Sequence, residues 1–370
     1  MAGLRVAVDV TPLLGARTGV ARTVEHLLEA LPSVAPDVEV VPYVLSRAAR
    51  NRTLPDGTIV LPFSAAIAIR RWGRGDRPWA TTHLGHVDVV HGTNFVVPPV
   101  RGVPSTVTVH DTWCLQHPKE CAQQVRPFRA ALGRAIRRGA WAHVSTEAIA
   151  WQVRSIYETR RVAIVPFGVP PLGEPGPLPT ALDGQRYLLS ISTLEPRKRV
   201  EHLVRAFRSV APWDDDIRLV IVGADGPSTT EVMREIKALP ADIERRVLRF
   251  GHVDEPTRAA LLRHATALVY PSADEGFGFP VLEAMSADVP VVATAVGGVP
   301  EVAGDAAVLV PVDDDARPLV EALRTVVTDG NVRSTLRRRG RARVATFSWT
   351  AHAEGMADMW RRVAAERVSS

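Results

Sequence analysis

The sequence predicts an α/β protein of two parallel-sheet domains, and three observations lead there. The chain opens as strand, glycine-bearing loop and helix, the usual start of a parallel α/β sheet. Short apolar runs that read as buried strands then recur as far as residue 310, most followed by a loop and a helical stretch. A segment dense in proline and glycine, residues 168–185, interrupts the series near its middle. With 370 residues there is material for two domains of ordinary size. The expected division is residues 1–167, a linker over 168–185, a second domain over 186–346 and a terminal helix over 347–370.

In the first domain, residues 4–10 form the opening strand and residues 11–19 a loop ending at Gly19. A helix follows from about Val20 to Leu31, with Val24, Leu27, Leu28 and Leu31 on one face, and Pro32 is expected to stop it. Gly15 and Gly19 do not make a Gly-x-Gly-x-x-Gly fingerprint. Further strands are expected at 38–45, 87–91, 105–109, 141–146 and 161–167. Residues 65–80 combine Arg70, Arg71, Arg74 and Arg77 with Trp72 and Trp79, which fits a membrane-interface surface or a solvated face with two packed indoles. Arg126, Arg129, Arg134, Arg137 and Arg138 share parts of a helix face, with the same two readings. The strand over 105–109 ends at His110 and Asp111, and ligands of open parallel sheets bind beyond the carboxyl ends of strands.

In the second domain, the strand over 187–192 leads into Thr193-Leu-Glu-Pro-Arg-Lys-Arg199 and then a helix. Cations at a strand-to-helix junction suit a diphosphate; Arg197 can bind its oxygens bidentately and Lys198 as a point charge. Strands are expected at 219–222, 247–250, 267–270, 289–293 and 307–310. The acidic runs at 214–216 and 313–315 read as surface rather than metal sites.

Residues 270–283 read Tyr-Pro-Ser-Ala-Asp-Glu-Gly-Phe-Gly-Phe-Pro-Val-Leu-Glu. Gly276 and Gly278 let the loop approach a ligand, and Pro280 suits the first turn of a helix whose N-terminus attracts anions. Glu275 and Glu283 flank that loop, where carboxylates can accept hydrogen bonds from sugar hydroxyls. The set suggests a nucleotide-sugar pocket. Together with Ala284, Met285 and Pro290-Val-Val-Ala-Thr294, it resembles the Glu-x7-Glu motif of the family-4 retaining glycosyltransferases, two-domain enzymes of the GT-B fold.

The resemblance implies two Rossmann-like domains facing a cleft, with the last helix returning to the first domain. It implies donor contacts from Gly19, Arg197, Lys198, Val253, Glu275, Gly276, Phe277, Gly278, Phe279, Leu282 and Glu283. His110, Glu275, Arg197 and Lys198 would serve the reaction, with no metal and no cofactor besides the nucleotide-sugar substrate. Many members carry an arginine where this chain has Thr193, and Arg197 takes that role here. The Glu-Pro-Arg-Lys form and the His-Asp pair resemble bacterial polysaccharide mannosyltransferases, so GDP-mannose is favoured over UDP-sugars, with a glycan or lipid-linked acceptor. A same-fold epimerase or hydrolase, and a non-catalytic scaffold, are the rival readings.

Composition bounds the setting. Hydrophobic residues make 46% and charged residues 23%, ordinary for a globular protein, and the net charge of +5 suits anionic ligands, a membrane surface included. No helix-turn-helix or RNA-binding signature is present, so nucleic acid is not expected as a partner. Cys114 and Cys121, the only cysteines, make no disulfide framework or thiol site and fit a reducing compartment. Asp9 interrupts the first apolar run, and no stretch approaches the roughly 18 apolar residues of a membrane span. The expected location is the cytoplasm, with peripheral contact at the inner membrane face left open.

Overall fold

The computed structural model describes residues 3–15, 18–47, 49, 53–121, 123 and 125–366. The chain divides into two compact units, one formed by Met1–Gly168 with Phe347–Ser370, the other by Val169–Thr346.

The first unit carries strands β1 (Leu4–Asp9), β2 (Val38–Val44), β3 (Ile59–Val60), β4 (Val89–Gly92), β5 (Ser105–Thr108), β6 (Trp141–Val144) and β7 (Val162–Ile164). They pair in parallel in the order β3-β2-β1-β4-β5-β6-β7. Its main helices include α1 (Gly19–Val34), α2 (Ala65–Trp72) and α3 (Phe128–Arg137). The second unit carries β8 (Arg186–Ile191), β9 (Ile217–Val222), β10 (Val247–Phe250), β11 (Ala267–Tyr270), β12 (Val291–Thr294) and β13 (Ala307–Val310), again parallel, in the order β10-β9-β8-β11-β12-β13. Three of its helices matter below: α4 (Val200–Val210), α5 (Glu255–His264) and α6 (Phe279–Ser286). Parallel strands are covered on both faces, so they read as continuous apolar runs, and β11 and β12 are fully buried here. The two sheets are the two Rossmann-like domains of the expected α/β class.

The last helix, α7 (Trp349–Glu366), belongs to the first unit. Its Met356 and Trp360 are buried in one cluster with Val6, Val8, Leu27 and Leu31.

Several expectations need correction. The first helix runs through Pro32 to Val34. A proline in the last turn disturbs only the end of the ladder, and Ala35 still donates to the Leu31 carbonyl at 2.9 Å. The proline-glycine stretch does not stand off as a bare linker: Gly176 donates to the Pro256 carbonyl at 2.9 Å, and Leu182 is fully buried. Cys114 and Cys121 are bonded, their Cα atoms 5.8 Å apart. A low cysteine count argues against a disulfide framework but says nothing about one clip across a short loop. Of the two readings of residues 65–80, the one with packed indoles holds: Trp72 is buried and its indole donates to the Pro78 carbonyl at 3.0 Å, while Trp79 lies under the Arg101 guanidinium at 4.5 Å. The indoles are packed, not presented, and Arg134 and Arg138 are held on Asp76. No helix among the described residues is long and apolar enough to cross a membrane.

Candidate active site

The site in the second unit is built where β8 and β11 end. After β8, Pro196–Lys198 makes one tight helical turn, and Arg199 adopts a left-handed conformation (φ +49°) before α4 begins. That reversal aims Arg197 and Lys198 back toward the loop that follows β11. The Ala273 amide donates to the Arg197 carbonyl at 2.7 Å and ties the two loops together.

The centre is Glu275, 5% exposed. Its Oε1 accepts from Lys198 Nζ, and its Oε2 lies 3.6 Å from Arg197 Nη1. Lys198 Nζ also donates to the Tyr270 hydroxyl at 3.2 Å, and Arg197 Nε donates to Glu195 Oε2 at 3.0 Å. Burial alone would raise the Glu275 carboxyl, but the charges of Lys198 and Arg197 outweigh it, and its pKa falls below the ordinary value. Burial and the Glu275 carboxylate push the Tyr270 phenol well up, so it stays protonated. The two cations are balanced by Glu275 and by Glu195 at the outer edge, and a carboxylate with about four lone-pair sites retains acceptor capacity toward hydroxyls.

Glycine shapes the loop at two points. Gly278 sits at φ +84° as the cap of α6, whose N-terminus carries partial positive charge. Gly297, at φ +49°, lies so close to the Glu275 backbone that an added Cβ would collide with its carbonyl oxygen. The neighbouring Gly298 amide donates to that carbonyl at 3.2 Å. Gly276 and Phe277 are buried, and the rings of Phe277 and Phe279 meet edge-on at 5.1 Å.

The structure separates the expected residues into groups. Arg197, Lys198 and Glu275 converge. Glu283, also 5% exposed, accepts from Arg258 Nη1 at 2.8 Å, and Arg258 in turn binds Glu255 at 2.6 Å. Leu282 is wholly buried, so its side chain serves the core. Val253 is half-buried on the loop before α5. Gly19 and His110 lie in the first unit, where Gly19 opens α1 behind the Thr18 cap. His110 Nε2 is 2.9 Å from the Thr93 carbonyl, and its ring stacks on Phe167 at 5.6 Å. Burial depresses its pKa against the pull of the Thr93 bond and Asp111.

Sequence reading missed Tyr270, Arg258 and the clamp by Gly297. Tyr270 is the last residue of an apolar strand and looked like core. Arg258 stands in a helix rich in alanine and leucine, and its partner is 25 positions away. Among the described residues, no group of three or more His, Cys, Asp and Glu side chains is placed to hold a metal. Asp214 and Asp215 pair with Arg186 and Arg246, and Asp314 with Arg199.

Comparison with known proteins follows this geometry. Residues 179–343 match the family model of the glycosyl transferases group 1. The chain is 34% identical over 167 residues to O-antigen chain mannosyltransferase B of Escherichia coli, a match spanning 45% of this chain and 43% of that protein. The chain thus spans less than half the length of this curated relative. Among solved structures, the sucrose-phosphate synthase of Thermosynechococcus elongatus superposes with a TM-score of 0.73 at 21% identity, covering 98% of this chain and 100% of that one. Anabaena HepE, crystallised with UDP and glucose, gives 0.70 at 15% identity, covering 97% and 100%. At these identities the likeness shows the fold, which is GT-B. The match to the glycosyl transferases group 1 model thus lies in the unit that carries Glu275, Arg197 and Lys198.

Proposed function

We propose that this protein is a retaining glycosyltransferase that moves a sugar from a nucleoside diphosphate to a hydroxyl of a glycan or lipid-linked acceptor. The observation that carries the reading is the buried carboxylate Glu275 held between Lys198 and Arg197 beside the N-terminus of α6.

The demanding step is departure of the diphosphate from the anomeric carbon while the sugar gains oxocarbenium character. Lys198, Arg197 and the amide end of α6 would neutralise the leaving charge. Removing one such preorganised group typically costs on the order of 100- to 1000-fold in rate. Glu275 would accept from sugar hydroxyls, Glu283 from the ribose, and His110 would serve the reacting centre. In front-face attack the acceptor oxygen bonds to the anomeric carbon as the carbon–phosphate oxygen bond breaks. The leaving phosphate takes the acceptor's proton, so configuration is retained without a carboxylate nucleophile. The fixed cations supply the charge that a metal would otherwise supply, and activity without metal is part of the proposal.

GDP-mannose is the favoured donor, supported by the Glu-Pro-Arg-Lys form and by the name of the Escherichia coli relative; the UDP in the Anabaena structure argues for the UDP-sugars. A cytoplasmic place with peripheral membrane contact belongs to the same proposal. Support for the contact includes exposed Arg70, Arg71, Arg74 and Arg77 near Ile67, which is 54% exposed. The Cys114–Cys121 disulfide is the observation against a reducing compartment.

A thermal-shift panel of GDP-mannose, UDP-glucose, UDP-N-acetylglucosamine, GDP and UDP, with and without EDTA, tests the reading. Ligand at about 100 times its dissociation constant stabilises by roughly 2.7 kcal/mol. A shift with one nucleotide class, indifferent to EDTA, is expected and names the base. No shift with any of them would overturn the proposal. Sugar release without an acceptor would favour the hydrolase reading.

A further inference from the structure

A buried polar chain strings together the carboxyl ends of four adjacent strands in the first unit. Asp9, 2% exposed at the end of β1, accepts from the Thr11 amide at 2.9 Å and from the Thr11 hydroxyl. The Thr11 oxygen accepts from the Leu45 amide just beyond β2, at 2.9 Å. The Asp9 carbonyl accepts from the Thr93 hydroxyl just beyond β4, at 2.8 Å. The Thr93 carbonyl then meets His110 Nε2 beyond β5, at 2.9 Å.

The turn that carries Thr93 is strained. An added Cβ on Gly92 would collide with the Val96 carbonyl. Phe95 stands at φ +58°, rare for a bulky residue, and its amide donates to the Thr108 carbonyl at 2.9 Å. Strain of this kind persists only where surrounding structure over-determines it. The Phe95 ring lies 6.1 Å from His110, whose other face stacks on Phe167. The ring is therefore held by two aromatics and one carbonyl.

A carbonyl oxygen only accepts, so Nε2 must carry the ring proton. Burial keeps the imidazole neutral, which leaves Nδ1 with a lone pair. We propose that Thr93, its hydroxyl anchored on the Asp9 main-chain carbonyl, is a positioning residue that fixes His110 as its Nε2–H tautomer, so that Nδ1 acts as an acceptor for a substrate hydroxyl. The proposal rests on the transferase reading only in giving His110 a substrate. The titratable groups facing this chain of bonds include Tyr43 on β2, within electrostatic reach of Asp9, and His91, Asp111, His143 and His352, within reach of His110.

The test uses the full chain labelled with nitrogen-15 in histidine, with His110→Gln to assign the ring. Wild type should show one pyrrole-type nitrogen at Nε2 and one pyridine-type nitrogen at Nδ1. Thr93→Val should average the two nitrogens and lower kcat about 10- to 100-fold with donor KM changed less than about threefold. Thr93→Ser, which keeps the hydroxyl, should restore both. Thr93→Ala, which also removes the hydroxyl, should give the same averaging and stands in if Thr93→Val does not fold. A folded Thr93→Val or Thr93→Ala protein with the wild-type tautomer pattern would overturn the proposal. An enzyme inactive with every donor would sink the transferase reading alone, because the nitrogen spectrum would still decide this one.

Discussion

At the scale of single residues, Lys198 is what keeps Glu275 ionised. Its charge is the largest influence opposing the burial that would otherwise raise the carboxyl, and Arg197 is second. Lys198→Met removes that charge, and the Glu275 pKa should climb toward or above its ordinary value. Transfer activity should fall on the order of 100- to 1000-fold while the fold is kept. Steady-state assays and circular dichroism check this, and near-normal turnover would sink the site assignment. Arg258 behaves differently. Its guanidinium is 11% exposed and joins Glu283, 7% exposed, to Glu255. Arg258→Met leaves a buried carboxylate without that partner, and losses from broken buried pairs run about 3–5 kcal/mol. The expected result is a lower urea midpoint for the second unit, together with weaker nucleotide binding by titration calorimetry. A midpoint within experimental error of wild type would mean that Glu283 is held by other contacts.

At the scale of elements, the loops rather than the helices set the geometry. Gly297→Ala forces a Cβ against the Glu275 carbonyl at a left-handed backbone position, so the Glu275 loop must shift. Donor affinity should drop at least tenfold with the sheet of the second unit intact, a split that calorimetry and amide exchange can read. The clip between Cys114 and Cys121 closes a loop at sequence separation 7, just beyond His110. Chain-entropy reasoning gives such a closure about 2–3 kcal/mol. Cys114→Ser with Cys121→Ser should therefore speed amide exchange in residues 111–121, and unchanged exchange would show the loop is held by Thr112, Gln152 and Leu115 alone. The strands were legible because buried parallel strands are unbroken apolar runs, and the charged residues that meet at Glu275 were legible because loops at strand ends carry the charge. What stayed hidden was tertiary or too short for a pattern. The two residues of β3 have no periodicity, α2 is masked by its arginines, and the Arg258 partnership depends on how α5 packs on α6.

At the scale of the whole molecule, the two units differ in how they answer acid. The first unit buries His91, His143 and His352 around Thr108 and Phe167. Burial lowers His91 to about 3 and His352 to about 4, and takes His143 well below the ordinary value; neighbouring histidines add to each shift. A histidine depressed in the folded state contributes stability above its unfolded pKa near 6.5, lost as pH falls toward the folded value. Asp9 acts in the opposite sense: burial raises it to about 7, so the unit loses stability from that group as pH rises between about 4 and 7. Near pH 5 the unfolded chain binds more protons on these histidines and on His110, and one fewer on Asp9, so the histidines outweigh Asp9 and stability falls as the pH drops from 7 to 5. The second unit carries the reverse arrangement at Glu275, a depressed carboxyl whose contribution is full above the ordinary 4.5 and is lost as the pH falls from there through its lower folded value. On lowering the pH from 7 to 5 the first unit should therefore lose its urea resistance first. Of the eight tryptophans only Trp213 lies in the second unit, and Trp360 packs 5.4 Å from His91, so indole fluorescence follows the first. His91→Gln should make this fall shallower. A wild-type midpoint that does not move between pH 7 and 5 would mean the cluster takes up protons without unfolding, and would refute the buried, neutral histidines on which the prediction depends.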